Sequence, residues 1–312
     1  MNTQKLTNQS ILITGGAGFI GGHLARTLSK DAELTVLDNL STGDPANIPN
    51  QARTITEDVS KRDIISKLDT NSTIIFHQAG LVSVSQSIET PYESHTTNAT
   101  GTLNILDAAR QNDSRVVFAS SAAIYGTPEY LPIDENHPFD PASPYGLDKL
   151  TADYYTRLYS DLYGLETVCL RYFNVFGPKQ TVGDYASVIP IFIKQALSGE
   201  DITVHGSGEQ TRDFVYIDDV IQANIAAAQT QNVGEAYNIG AGESTSIRNL
   251  ADIIQDLTDT NSDIVHVESR EGDIDHSIAD ISKAEDYLDY QPNIALEEGI
   301  KRTINWWKKH RD

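Results

Sequence analysis

Residues Ile11-Leu12-Ile13-Thr14-Gly15-Gly16-Ala17-Gly18-Phe19-Ile20-Gly21 decide the fold. β-favouring residues run straight into a glycine-rich turn, and a helix-compatible stretch begins near Phe19. Gly15, Gly18 and Gly21 let the backbone turn tightly and approach a pyrophosphate, whose charge suits the free N–H groups and dipole of a helix start. A glycine pattern alone is weak. Here a second apolar run, Glu33-Leu34-Thr35-Val36-Leu37, ends in Asp38, about 20 residues beyond the loop, where a carboxylate accepts hydrogen bonds from ribose hydroxyls. The same negative charge disfavours the 2′-phosphate of NADP, which points to NAD. The plainer alternative is a tight turn followed by an incidental acid.

Outward from this unit, Ser10–Thr14, Leu34–Asp38, Thr73–His77, Val116–Ser120 and Thr167–Tyr172 read as strands with helix-like segments between them. Alternation of this kind predicts an α/β fold with a parallel, doubly wound, Rossmann-type sheet. Beyond about Val175 the elements shorten, and Gly206-Ser207-Gly208 and Gly240-Ala241-Gly242 mark turns. The division expected is a nucleotide-binding domain over residues 1–174 and a smaller substrate lobe over 175–312, with the chain free to cross between them.

Composition narrows the function. With 312 residues, 39% apolar, the chain can bury a sizeable core. Its 44 acidic and 23 basic residues leave a formal charge of −21, which argues against nucleic acid and makes local arginines necessary for any anionic substrate. The acid excess fits a high-salt host or an ordinary acidic cytoplasmic enzyme. No stretch reaches the roughly 20 apolar residues of a membrane span, and Met1-Asn2-Thr3-Gln4-Lys5 lacks the apolar core of a signal peptide, so a cytoplasmic protein is expected. The terminal run from Ile300 to Lys309 reads as a docked helix with cations at its negative end, rather than a membrane-surface helix. Cys169 reads as a small buried hydrophobe, His77 and His205 as packing or hydrogen-bonding residues, and Asp218-Asp219 as helix caps. No histidine pair has metal-ligand spacing with a third ligand, so no metal is expected.

A second motif brings chemistry. Ser120-Ser121 is followed by Tyr145-Gly146-Leu147-Asp148-Lys149, in which Tyr145 and Lys149 share one helix face. A phenol with a pKa near 10 is a poor base at neutral pH, and lowering it to about 7 requires roughly 4 kcal/mol of preference for the phenolate. A nearby ammonium and an oxidised nicotinamide supply that sense of charge. By spacing alone, Tyr-x-x-x-Lys on a helix is usually a surface pair.

Together these strings resemble the extended short-chain dehydrogenase/reductase family, over nearly the whole chain, in its UDP-glucose/UDP-N-acetylglucosamine 4-epimerase type. Thr14 to Gly21 is similar to the family's cofactor loop, Asp58-Val59 to its adenine contact, and His77-Gln78-Ala79-Gly80 to its fourth-strand turn, where a second Ala is more usual than Gly80. Asn98 precedes Gly101-Thr102-Leu103-Asn104 as in the family's long helix. Arg171-Tyr172-Phe173-Asn174-Val175-Phe176-Gly177-Pro178, the run from Gly206 to Val220, and Arg270-Glu271-Gly272-Asp273 resemble its nucleotide-sugar segments. The resemblance implies that Phe19, Ile20, Asn39, Ser41, Gly43, Ser120 and Tyr172 join the loop glycines, Asp38, Asp58, Val59, Gln78, Ala79, Gly80, Asn98, Tyr145 and Lys149 around NAD. It implies that Ser83, Ser121, Ala122, Asn174 and Val188 meet a UDP-sugar, with Arg212 and Arg270 on its diphosphate and Asp273 beside them. Planar guanidinium forks suit that group in so acidic a chain. The alternative for each arginine is an ion pair with the neighbouring Asp213 or Asp273.

The same resemblance narrows the reaction. Similar dehydratases carry Asp-Glu where this chain has Ala122-Ala123, and similar decarboxylases a Glu at the second position, so elimination here lacks its proton carrier. The expected activity is an isomerase reaction, 4-epimerisation of a UDP-hexose through a transient 4-keto sugar, with Ser121, Tyr145 and Lys149 catalytic. Competing readings are another NAD-dependent nucleotide-sugar enzyme, such as a UDP-glucuronate epimerase, dehydratase or decarboxylase, and a catalytically silent nucleotide-binding protein. Ser277, seven residues after Arg270, is the expected gate for N-acetylated sugars, its small size leaving room. Family resemblance also implies a homodimer pairing helices over 91–111 and 143–163.

Overall fold

The computed structural model describes residues 6–68, 72–180, 187–269 and 274–310. Its first half runs β1 (Ser10–Thr14), α1 (Phe19–Leu28), β2 (Glu33–Leu37), β3 (Arg53–Ile55), α2 (Ile64–Lys67), β4 (Ile74–His77), α3 (Val84–Glu89), α4 (Pro91–His95), α5 (Gly101–Asn112) and β5 (Arg115–Ser121). The chain continues through α6 (Pro144–Tyr163), β6 (Thr167–Tyr172), β7 (Asn174–Phe176), α7 (Val188–Ser198), β8 (Ile202–His205), β9 (Thr211–Arg212), β10 (Phe214–Tyr216) and α8 (Ile217–Ala227). It ends with β11 (Glu235–Ile239), β12 (Thr245–Ser246), α9 (Ile247–Thr258), β13 (Ile264–Val267), α10 (Ser282–Leu288) and α11 (Leu296–Lys309).

Seven strands form one parallel sheet in the order β11-β6-β5-β4-β1-β2-β3. The doubly wound fold follows from side-chain alternation. Ile11 and Ile13 of β1 enter the apolar cluster on one face, shared with Leu24 and Leu28 of α1, while Leu12 enters the cluster on the other, with Ile105 and Leu106 of α5. The strand order turns around between β1 and β4, which opens a crevice at their carboxyl ends. Beyond 175 the chain does not stay apart. β11 returns to pair with β6, whereas β8 with β13 and β9 with β12 form separate two-stranded ladders.

Two expected elements take a different form. The single helix expected over 91–111 is α4, a π-helical turn at Thr96–Thr100, then α5. Within this turn Asn98 faces inward and binds the backbone of Leu81, and Thr102 Oγ1 donates to the Asn98 carbonyl at 2.6 Å. Asp218 and Asp219 stand inside the first turn of α8 rather than at its cap, which is Tyr216. The Asp219 carboxylate instead accepts from the backbone of Asn293 and Ile294 at 3.0 and 3.2 Å, fastening the approach to α11. There Gly299 allows contact so close that a Cβ would lie 2.7 Å from Phe176 Cζ. Cys169 is buried, and no helix of the described residues is long and apolar enough to cross a membrane.

Candidate active site

A cleft of about 1300 Å³ runs from the turn after β1 to α7 and β9. The turn is built to admit a phosphate. Gly15 has φ +69°, and a Cβ there would lie 2.6 Å from Ala79 N, while one at Gly21 would collide with the Gly15 carbonyl. No side chain caps α1 at Gly18, which leaves first-turn N–H groups to an anion. At the rim, Asp38 Oδ2 accepts from Ala17 N at 2.9 Å and Oδ1 from Leu40 N at 2.8 Å. A carboxylate so held keeps lone pairs free to accept from hydroxyls of a bound ligand. Asn39 donates to Asp58 at 3.3 Å, and Ser41, Gly43 and Val59 line the same stretch. These residues fit a dinucleotide.

Across the cleft floor, β4 and β6 interlock. Gln78 donates to Asn224 Oδ1 at 3.0 Å and to Tyr172 Oη at 3.3 Å. His77 below is fully buried between the Thr14 and Thr102 hydroxyls, at 2.7 and 3.0 Å, a structural role. Thr14 Oγ1 accepts from Ala79 N, which ties the phosphate turn to the turn after β4.

The reactive pair enters from two elements. Ser121 ends β5, and Tyr145 lies in the first turn of α6, whose start is fixed by Pro144 and by Ser143 accepting from Gly146 N at 3.1 Å. Tyr145 N donates to Ser87 Oγ at 3.1 Å, which ties α6 to α3. One turn on, Lys149 Nζ donates to the Ala119 carbonyl at 2.8 Å and lies 5.0 Å from the Phe118 ring centroid. Burial brings the Lys149 ammonium down to about 8, with Asp148 opposing. Burial also pushes the Tyr145 phenol up, and its hydrogen bond with Ser121 pulls the other way. The phenol by itself is therefore held above its ordinary value, not lowered. Gly80 explains its own identity, because a Cβ there would lie 2.8 Å from Asn98 Oδ1 and 3.2 Å from Lys149 Nζ.

The sugar-side residues are less uniform. Ser83 caps α3, accepting from Gln86 N at 3.0 Å, and lines the cleft with Ser120, Asn174, Val188 and Arg212. Asn174 Nδ2 donates to the Asp213 carbonyl at 3.0 Å, and Arg212 Nη1 to the Thr211 carbonyl at 2.7 Å. The Asp213 carboxylate is turned inward, accepting from the backbone of Ala241, Gly242 and Ala279, and burial pushes it up to about 6. Arg270 and Asp273 lie outside the described residues.

Three expected contacts are not in the cleft wall. Asn98 is a buried brace behind Leu81, with its amide spent on that backbone. Ala122 begins a short 3-10 turn and packs against the apolar cluster of Ile124, Tyr125 and Phe173. Ser277 is 5% exposed, with its N–H held by the Thr211 carbonyl at 3.1 Å, so its side chain faces packing rather than open cleft. Conversely, Asn47 and Lys179 line the cleft though no motif marked them, and buried Asn224 supports its floor. Gly177 and Pro178 close the family-like segment that begins at Arg171, and Lys179 stands just beyond it.

Residues 11–240 match the family model described as NAD dependent epimerase/dehydratase family. A protein of Methanocaldococcus jannaschii, provisionally named a UDP-glucose 4-epimerase, is 42% identical over 96% of this chain and 99% of its own length. A UDP-N-acetyl-alpha-D-glucosaminuronate decarboxylase of Bacillus cytotoxicus is 36% identical over 96% and 97%. Among solved structures, the UDP-N-acetylglucosamine 4-epimerase of Methanobrevibacter ruminantium, in complex with UDP-N-acetylmuramic acid, is 36% identical, with a TM-score of 0.94 over 98% of this chain and 100% of that one.

Proposed function

This chain belongs to the NAD dependent epimerase/dehydratase family, and on that premise we propose that it is an isomerase inverting C4 of UDP-linked hexoses, plain and N-acetylated. The carrying observation is that Ser121, at the end of β5, and Tyr145 and Lys149, on the first turns of α6, line one cleft that reaches from the phosphate turn to Arg212, with Ala122 and Ala123 following where elimination needs a carboxyl group. When bound, NAD supplies a hydride acceptor and a formal positive charge that favours the phenolate. Tyr145 takes the proton of the sugar 4-hydroxyl as C4 loses its hydride, and Ser121 holds the same oxygen by hydrogen bond. Lys149, anchored on the Ala119 carbonyl, keeps a cation near the phenol. After the 4-keto sugar turns about its diphosphate link, Tyr145 returns the proton while hydride reaches the opposite face of C4. Atoms and charge balance with no net oxidation. Arg212 and Arg270 hold the diphosphate, and Asp38 selects NAD over NADP.

The decarboxylase relative makes loss of carbon dioxide the second reading, which the alanine pair disfavours. Incubation with UDP-galactose and UDP-N-acetylgalactosamine, no NAD added, should yield the gluco epimers by proton NMR. Tyr145→Phe should lower kcat by about 10²–10⁴-fold at unchanged thermal stability. A dehydrated product from these sugars, or carbon dioxide release from UDP-glucuronate, would refute the assignment. We further propose a cytoplasmic homodimer formed through α3, α4 and α6, which present Ile88, Tyr92, Leu147 and Leu162 to solvent.

A further inference from the structure

Asn47 is a junction that the reaction above does not use. Its Oδ1 accepts from Arg26 Nη2 at 2.7 Å and from Lys179 Nζ at 3.1 Å, while its Nδ2 donates to the Ala17 carbonyl of the phosphate turn at 3.0 Å. Two cations thus converge on one neutral amide oxygen, each lowered by burial, with the Asp44 carboxylate opposing in both cases. Two cations beside the single carboxylate of Asp44 leave a net positive charge at the rim of a phosphate-binding turn, where a further anion is favoured even in a chain of charge −21. Lys179 lines the same cleft as Gly18, Phe19 and Ile20, and holds φ at +68°, a conformation uncommon outside glycine. Its segment is fastened twice more to the cofactor side. His23 Nε2, on α1, donates to the Pro178 carbonyl at 2.9 Å, and Phe19 Cζ lies 3.6 Å from the point a Cβ on Gly177 would occupy.

We propose that Gly177–Gln180 is a strap over the dinucleotide pyrophosphate, in which Lys179, seated on Asn47, is a phosphate-binding residue that slows cofactor release. The strap rests on the NAD reading but not on which sugar is turned over. A charge-assisted hydrogen bond to a phosphate oxygen adds to the turn amides without touching the reacting carbon. Dissociation then requires Lys179 to let go of both the phosphate and Asn47, so one cofactor serves many cycles.

The test follows NAD release rather than turnover. Protein loaded with NAD is gel-filtered, and retained dinucleotide is measured over time for wild type, Lys179→Arg and Lys179→Met. Loss of the charged contact should speed release about tenfold in Lys179→Met, with Lys179→Arg near wild type and the KM for UDP-sugar at saturating NAD unchanged. Raising salt should speed wild-type release more than that of Lys179→Met. A wild type that retains NAD beside a Lys179→Met that retains it equally well overturns the strap alone. Wild type that binds no dinucleotide overturns the cofactor reading and the strap with it.

Discussion

His77 and Asp213 are buried titratable groups whose contributions to stability run in opposite directions. Burial, with the charge of Lys149 adding to it, brings the His77 ring down to about 3. The unfolded chain takes up this proton below about pH 6.5, so stability falls as pH drops from there toward 3, by at most about 1.4 kcal/mol per pH unit. Asp213, pushed up to about 6 by burial, binds a proton in the folded state between about pH 6 and 3.9 that the unfolded chain does not. That contribution rises as pH falls through the same window. The two offset between pH 6 and 4, and the histidine loss should emerge below that. Asp213→Asn removes the offset, so urea unfolding should show the variant losing stability between pH 6.5 and 4 relative to wild type. Parallel curves for the two proteins would show that these groups do not govern the acid limb.

At the scale of the element, α6 carries the chemistry because one of its faces repeats every fourth residue: Tyr145, Lys149, Asp153 and Arg157. Asp153 is fully buried and accepts from Ser120 Oγ at 2.8 Å, Arg171 Nε at 3.1 Å and Arg157 Nε at 2.9 Å. Arg171 in turn donates to Tyr125 Oη at 2.9 Å. One carboxylate thereby locks the helix to the strand ending in Ser121 and to the strand ending in Tyr172. Asp153→Asn leaves the Arg171 guanidinium buried without its counter-charge and should cost about 3–5 kcal/mol in urea unfolding. The double variant Asp153→Asn with Arg171→Met should recover part of it, since no buried charge is then stranded. A single-variant cost below about 1 kcal/mol would mean that water reaches the pair.

For the whole molecule, charge and apolar surface make separate demands. Tyr92 on α4 is 81% exposed, and Leu162 and Ile88 stand above 60% on α6 and α3, the helices that carry Tyr145 and its Ser87 tether. Association through this face would bury them, and light scattering at working salt should report twice the 34.2 kDa chain mass; a monomer rejects the dimer. The −21 charge opposes that association and the compact state alike. Salt shortens the Debye length from about 10 Å at 0.1 M to 3 Å at 1 M, so the melting temperature should climb over that range. A flat or falling trend would class the acidity as ordinary.

By itself the sequence determined what depends on local order. Strand alternation, the glycine turn and Asp38 at the next strand's end are neighbours in the chain, and they were enough for a parallel doubly wound sheet and a dinucleotide site. The spacing of Tyr145 and Lys149 likewise follows from helix geometry alone. What the sequence concealed depends on which distant segments meet. Short Glu235–Ile239 gave no strand signal, yet it completes the sheet because β6 offers it a partner edge. Asn98 and Ser277 matched motifs, but one serves a turn 17 residues away and the other is packed behind Thr211. Lys179 and Asn47, 132 residues apart, carry no periodic or motif signal; only the return of the chain across the crevice sets an ammonium on an amide beside the phosphate turn. Periodicity records how a side chain faces its own element, whereas long-range hydrogen bonds and buried charge depend on the packing of elements, and that is where tertiary structure decided the details of this site.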